Sequence, residues 1–278
     1  MKNKTTIIAE IGQAHDGSLG ILHSLIEAAA SAGVDAVKFQ VHIANSESTL
    51  SEPFRVKFSY EDKNRFEYWK RMEFTFQQWQ DIKKKCEHSN VEFLATPFSN
   101  AAVDLLEELE VKRYKIGSGE FNNLLLIDKI IKTKKEILLS TGMSSIEEIE
   151  LIVERIKKAG NKLCIFQCTS SYPTNPSDVC LGAIPQLKEK FNCSIGLSDH
   201  SGDIYACLGA VSLGATFVEV HITFCQKMFG PDSFSSLNIE NLIRLVKGIR
   251  FIEEARQGDL SNKNLRNYRD NRAIFGRS

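Results

Sequence analysis

Two histidines close short apolar runs late in the chain, His200 in SIGLSDH and His221 in TFVEVH. Imidazoles at the ends of successive strands can share one divalent metal ion. Taken singly, each would serve equally as a hydrogen-bonded structural residue. Their neighbours are acidic: Asp199 precedes His200, and Glu219 stands two residues before His221. Side chains alternate along a strand, so Glu219 and His221 share a side. A second set is cationic. Lys38 sits in AVKFQ with Gln40 at the same parity, and Lys115 sits in RYKI before Gly117-Ser118-Gly119. A buried lysine needs a counter-charge. Two of them, with the hydroxyls of Thr96, Ser118, Ser140 and the Thr169–Tyr172 loop, make a cradle for an anion carrying phosphate and carboxylate. The competing arrangement pairs Lys38 and Lys115 with Glu10 or Glu219. A Schiff-base lysine fits less well, because it would have to stay neutral beside a second cation, acids and histidines.

These residues all fall where strands end. TTIIAEI (Thr5 to Ile11) reads as the first strand and ends at Glu10; Ser18 then caps a helix with an apolar stripe of Leu19, Leu22, Leu25, Ile26 and Ala29, stopped by Gly33. Further strands are expected at Ala36–Gln40, Glu92–Thr96, Arg113–Ile116, Glu136–Ser140, Leu163–Cys168, Ser194–Leu197 and Thr216–Ile222. Helices are expected at Phe74–Ser89, Asn100–Leu109, Leu124–Lys132, Ile146–Lys158, Val179–Lys190, Ile204–Leu213 and Asn238–Ala255. Val41 to Met72 shows no clear period and reads as a long aromatic loop that covers or shapes a site. Eight strand–helix units predict an α/β fold, a (β/α)8 TIM barrel, over residues 1–258. The GxGxxG fingerprint of a dinucleotide-binding open sheet is absent. In a barrel the active site lies at the C-terminal end of the strands, where every strand here contributes a polar residue.

Composition narrows the partners. The chain of 278 residues carries 35 basic and 35 acidic residues, so nothing marks a nucleic-acid or membrane surface. No apolar run approaches the ~20 residues that cross a bilayer, and MKNKTTIIAEIG enters a strand without a secretory leader. The seven cysteines form no CxxC pair. A cytoplasmic location is expected.

IIAEIG with the following HDGS, DAVKFQ, FLATPFS, YKIGSGE, LLSTGM, CTSSYP, IGLSDHSG, GATFVEVHIT and MFGPD together resemble the sialic acid synthase family in order and spacing, from Ile7 to about Ser278. The resemblance implies a barrel transferase that condenses phosphoenolpyruvate with an N-acetylmannosamine-like aldose, releases phosphate and needs Mn²⁺ or Mg²⁺. It matches His200 and His221 to the metal ligands. Lys38, Thr96, Lys115, Ser118 and Ser140 match the phosphoenolpyruvate cradle, with Ser198 beside them. Glu10, Gln40, Tyr172, Glu219 and Asp232 match positions around the sugar and the reacting carbons; Glu219, then Glu10, are the candidates for proton transfer. Other classes in reach are a related synthase using a differently modified or non-acylated sugar, and a non-catalytic sugar-binding barrel.

Three departures from the family pattern stand out. The first loop reads QAHDG where many relatives have Asn-His-Asn-Gly, and Ser170 replaces an asparagine that touches substrate in some members. Relatives also continue into a small antifreeze-like C-terminal domain that reaches the partner subunit's site. Residues 259–278, ending NRAIFGRS, resemble the linker to that domain. The resemblance therefore implies a homodimer, with the 41–72 segment near the metal end and weaker acceptor discrimination than in relatives that carry the extra domain.

Overall fold

A computed structural model describes residues 4–54 and 58–257. The segment read as a linker-like tail lies outside these residues. Eight parallel strands close in sequence order into one barrel: β1 Thr6–Glu10, β2 Ala36–Val41, β3 Glu92–Pro97, β4 Arg113–Ile116, β5 Glu136–Ser140, β6 Leu163–Cys168, β7 Ser194–Asp199 and β8 Phe217–His221. Among the described residues ten α-helices accompany them: α1 Leu19–Ala32, α2 Ala44–Glu47, α3 Arg65–Met72, α4 Phe76–His88, α5 Asn100–Glu108, α6 Leu124–Lys132, α7 Ile146–Lys158, α8 Ala183–Phe191, α9 Tyr205–Ser212 and α10 Ile239–Ala255.

The barrel forms because each strand obeys one alternation. Outward residues such as Ile7, Val37, Phe39, Phe93 and Val218 join the helices' apolar faces in the main core. Inward residues split into two levels. Ile8, Ala36, Leu94, Leu138, Cys164, Phe166 and Phe217 make an apolar plug. Two residues further along most strands the same inner face turns polar, at Glu10, Lys38, Thr96, Ser140 and Glu219, and that second level carries the chemistry. Gly196 belongs to the plug: a Cβ there would meet the Phe166 ring at 2.9 Å.

Helix ends follow local chemistry. Ser18 accepts from the Ile21 amide and Gly33 ends α1 at φ 88°. Capping boxes open α4 (Thr75 with Gln78) and α7 (Ser145 with Glu148). Two expectations need correction. The 41–72 stretch is not one irregular loop, since it contains α2 and α3. Asn64 caps α3, whose Tyr68, Trp69 and Met72 are buried in a satellite core with Ala44; eight residues with charges on most other positions gave too short a period to read. The helix expected from Val179 starts only at Ala183, because Cys180 takes a left-handed φ of 56°.

Candidate active site

The inner polar level comes from register. Glu10 pairs with Lys38 on one side and His221 on the other, while Ser198 pairs with Glu219. These side chains line a cavity of about 310 Å³ at the C-terminal end, with Thr96, Lys115, Ser140 and His200. Gln40, Ser118, Ser170 and Tyr172 stand at its rim.

Glu219 is the hub. Its Oε1 accepts from Ser198 Oγ at 3.2 Å and from Lys115 Nζ at 3.3 Å, and lies 3.4 Å from Lys38 Nζ. Burial alone would raise its pKa, but Lys115 and Lys38 outweigh burial and hold the carboxyl down to about 2. Its other oxygen, Oε2, is buried without a hydrogen-bond partner. Lys38 also donates to Thr96 Oγ1 at 3.2 Å and lies 2.8 Å from Glu10 Oε2, an ion contact without hydrogen-bond geometry. Burial would lower Lys38, yet the charges of Glu10 and Glu219 raise it, so it stays protonated. Lys115 donates to Ser140 Oγ at 2.6 Å and lies over the Phe166 ring. Two cations and two carboxylates thus share one buried pit. Of the two arrangements the sequence allows, anion cradle or ion pairs, the structure shows the ion pairs.

His200 and His221 face each other with ring centroids 5.5 Å apart. His200 Nδ1 lies 2.9 Å from the Thr169 carbonyl, which can only accept, so Nδ1 carries the hydrogen. Burial would lower the pKa of His200, but its contacts with Cys168 and the Thr169 carbonyl outweigh burial and raise it; once Nε2 is deprotonated its lone pair points toward the pit, where the Tyr172 hydroxyl sits at 3.2 Å. Burial lowers the pKa of His221, with Asp232 and Glu10 opposing, which favours the neutral ligand form. Deprotonated at Nε2, His200 joins the neutral His221 as a second imidazole donor, and the pair fits a divalent cation. Among the described residues no cluster of three or more His, Cys, Asp or Glu is arranged to hold a metal. The two histidines would leave the remaining coordination positions open. Asp199, the acidic neighbour of His200 in sequence, turns away: it accepts from Ser201 Oγ at 2.7 Å.

The remaining expected residues are nearby. Asp232 Oδ2 is 4.0 Å from His221 Nδ1 and lines an adjoining cavity with Gln13, Phe54 and Tyr68. Ser170 and Ser118 both crowd Gly142, where a Cβ would come within 2.5 Å and 2.8 Å of their hydroxyls. Gln40 Nε2 donates to Glu10 Oε1 at 3.1 Å. Sequence reasoning passed over Gln13, His42 and Glu47, which bond into the same group. His42 was findable, since it continues the parity of Lys38 and Gln40. Gln13 and Glu47 left no periodic signal. The 41–72 segment does lie at this end: Tyr68 donates to Gln13 Oε1 at 2.9 Å, and Arg71 clamps Asp16 and Asp62. Its Tyr68 and Trp69 are packed in their own core, whereas Tyr60 is exposed.

Residues 25–260 match the family model described as the NeuB family. Over 258 residues the chain is 39% identical to the N,N'-diacetyllegionaminic acid synthase of Campylobacter jejuni, spanning 91% of this chain and 77% of that protein. Over 253 residues it is 34% identical to the N-acetylneuraminate-9-phosphate synthase of Homo sapiens, spanning 90% of this chain and 70% of that one. The crystal structure of an N-acetylneuraminic acid synthetase from Leptospira borgpetersenii, in complex with citrate, superposes with a TM-score of 0.85 at 31% identity, covering 99% of this chain and 94% of that one.

Proposed function

The chain belongs to the NeuB family of phosphoenolpyruvate-dependent nonulosonic acid synthases, and we propose that its acceptor is an N-acetylmannosamine-like aldose, giving a sialic acid-type nonulosonate and phosphate. The observation that carries this reading is the charge balance of the pit. Lys38 and Lys115 are already matched by Glu10 and Glu219. Phosphoenolpyruvate would add at least two negative charges to a buried site, which is costly unless a cation enters with it. Enzymes of this family are metal-dependent. Held by His200 and His221, Mn²⁺ or Mg²⁺ would supply Lewis-acid polarisation of the acceptor's aldehyde.

The chain's own residues then divide the work. Lys115 with Ser140 and Ser118, and Lys38 with Thr96, hold the phosphate and carboxylate and suppress their mutual repulsion. The electron pair of the enol C3 forms the new bond to the aldehyde carbon, and the aldehyde oxygen takes a proton. Water adds at C2, and phosphate departs with the C2–O bond. Glu219, ionised in the free site, is placed to take a proton from that water, with Glu10 as the second candidate. As the lysines turn to the incoming anion, Glu219 loses part of what holds its pKa down, which prepares it to hold that proton. Gln40, Tyr172, Ser170 and Asp232 surround the acceptor, with Ser198 orienting Glu219, and the active species is a homodimer.

Phosphate release from phosphoenolpyruvate tests this, measured with Mn²⁺ or a chelator and with N-acetylmannosamine, mannose or no sugar. Release is expected only with metal and an aldose, the acylated sugar preferred by at least about tenfold. Release without any sugar, or none with any N-acyl aldose, would overturn the reading. Sedimentation velocity reports the dimer.

A further inference from the structure

Lys38, Gln40 and His42 form one inward column at the top of β2, and His42 is the outermost and 6% exposed. Trp69 stacks on one face of its ring at 3.8 Å and 11°, and Phe98 on the other at 4.3 Å and 15°. With both faces covered, only the ring edges can make polar contacts. Nδ1 lies 2.8 Å from Glu47 Oε1 and Nε2 lies 3.2 Å from Gln40 Oε1.

The hydrogen bonds around Gln40 run in one direction. Tyr68 donates to Gln13 Oε1, Gln13 Nε2 donates to Gln40 Oε1 at 3.1 Å, and Gln40 Nε2 donates to Glu10 Oε1 at 3.1 Å. Turning the Gln40 amide over would set its NH₂ against the Gln13 NH₂ and its oxygen against the Glu10 carboxylate. Glu47 Oε1 and Gln40 Oε1 both accept, so His42 donates at both nitrogens as the imidazolium paired with Glu47, and its Nε2–H is then the second donor that holds Gln40 the right way round. Glu47 comes from α2 and Trp69 from α3, so the segment after β2 reaches the carboxylate in the pit through this ring as well as through Tyr68 and Gln13.

We propose that His42 is a positioning residue for the condensation: held edge-on by Glu47 and face-on by Trp69 and Phe98, it orients the Gln40 amide and through it the Glu10 carboxylate. The inference rests on the reading that Glu10 serves the reaction. His42→Phe keeps an aromatic ring in the stack and removes both edge contacts, while His42→Gln restores a donor toward Gln40. Crystal structures of the full chain and of both variants are compared first. In His42→Phe the Gln40 amide should turn or the Glu10 carboxylate should shift, with Trp69 and Phe98 in place; in His42→Gln both should hold. Kinetics follow, with phosphoenolpyruvate and N-acetylmannosamine. His42→Phe should lower kcat about tenfold with the KM for phosphoenolpyruvate within about twofold, and His42→Gln should recover most of kcat. An unmoved Gln40–Glu10 pair, an unchanged kcat, or a failure of His42→Gln to recover activity would each overturn the proposal. If the unaltered enzyme turns over no acceptor, the functional reading fails instead, and the structures still decide whether His42 orients Glu10. If His42→Phe does not fold, Glu47→Gln, which weakens the grip on Nδ1, takes its place with the same expected split.

Discussion

The two ends of the barrel use the same residue types to opposite effect. At the N-terminal end Arg113, the first residue of β4, binds Glu92 bidentately at 2.7 Å and 2.8 Å and Glu136 at 2.9 Å. Arg250 joins Asp35 at 2.6 Å and the Thr5 carbonyl at 2.9 Å, and Asp35 also accepts from the Ile7 amide. These groups are half-buried, and each carboxylate is met by donors that fit it. At the C-terminal end Lys38 and Lys115 converge on a single oxygen of Glu219, while the other oxygen has no partner. The lower charges close on themselves and fasten strands together. The upper ones balance in charge but are more deeply buried, with one oxygen each of Glu10 and Glu219 lacking a hydrogen-bond partner, an arrangement that is costly by itself and suits a site where an anion and a cation enter together.

The largest effect expected is at the metal site. His221→Ala should lower Mn²⁺ affinity by at least about a hundredfold, beyond what residues that merely orient ligands cost. Its thermal midpoint should stay near that of the unaltered protein; titration calorimetry with Mn²⁺ on the folded variant measures this, and normal affinity would remove His221 from the site.

Next comes a matched pair of substitutions, one at each end. Lys115→Met should raise the KM for phosphoenolpyruvate about 10- to 150-fold, the equivalent of ~1.5–3 kcal/mol for a charge-assisted hydrogen bond. The acceptor's KM should change much less. Arg113→Met should leave both constants alone and lower unfolding free energy by about 1–2 kcal/mol. If Arg113→Met impaired kinetics while Lys115→Met altered only stability, the contrast between the two ends would collapse.

The smallest effect is a pH dependence confined to the lower end. Burial alone would raise the pKa of Asp35, but the Lys4, Ile7 and Arg250 contacts outweigh it and hold it below its ordinary 3.8. A depressed carboxylate contributes stability that is present above the ordinary value and is lost as pH falls through the folded one. Asp35→Asn should therefore be less stable than the unaltered chain at neutral pH, and the gap should narrow on the acid side of about pH 4. Thermal midpoints across that range would show parallel curves if Asp35 carried no such coupling.

Much of the architecture was legible from local pattern alone. Strand parity placed Lys38 with Gln40 and Glu219 with His221 on the inner face, and Ser18 and Gly33 marked the ends of the first helix, because alternation and capping depend on residues a few positions apart. Helix α3 was not legible: its buried Tyr68, Trp69 and Met72 make sense only against Ala44 and the loop they cover.

The sequence by itself thus determined which side chains point into the barrel, since that follows from a period of two along each strand. Tertiary structure decided who meets whom. That Lys115 and Lys38 share Glu219, 104 and 181 positions along the chain from them, depends on closure. Curvature and shear bring β2, β4, β7 and β8 to one axis, and no local pattern in the chain encodes those angles.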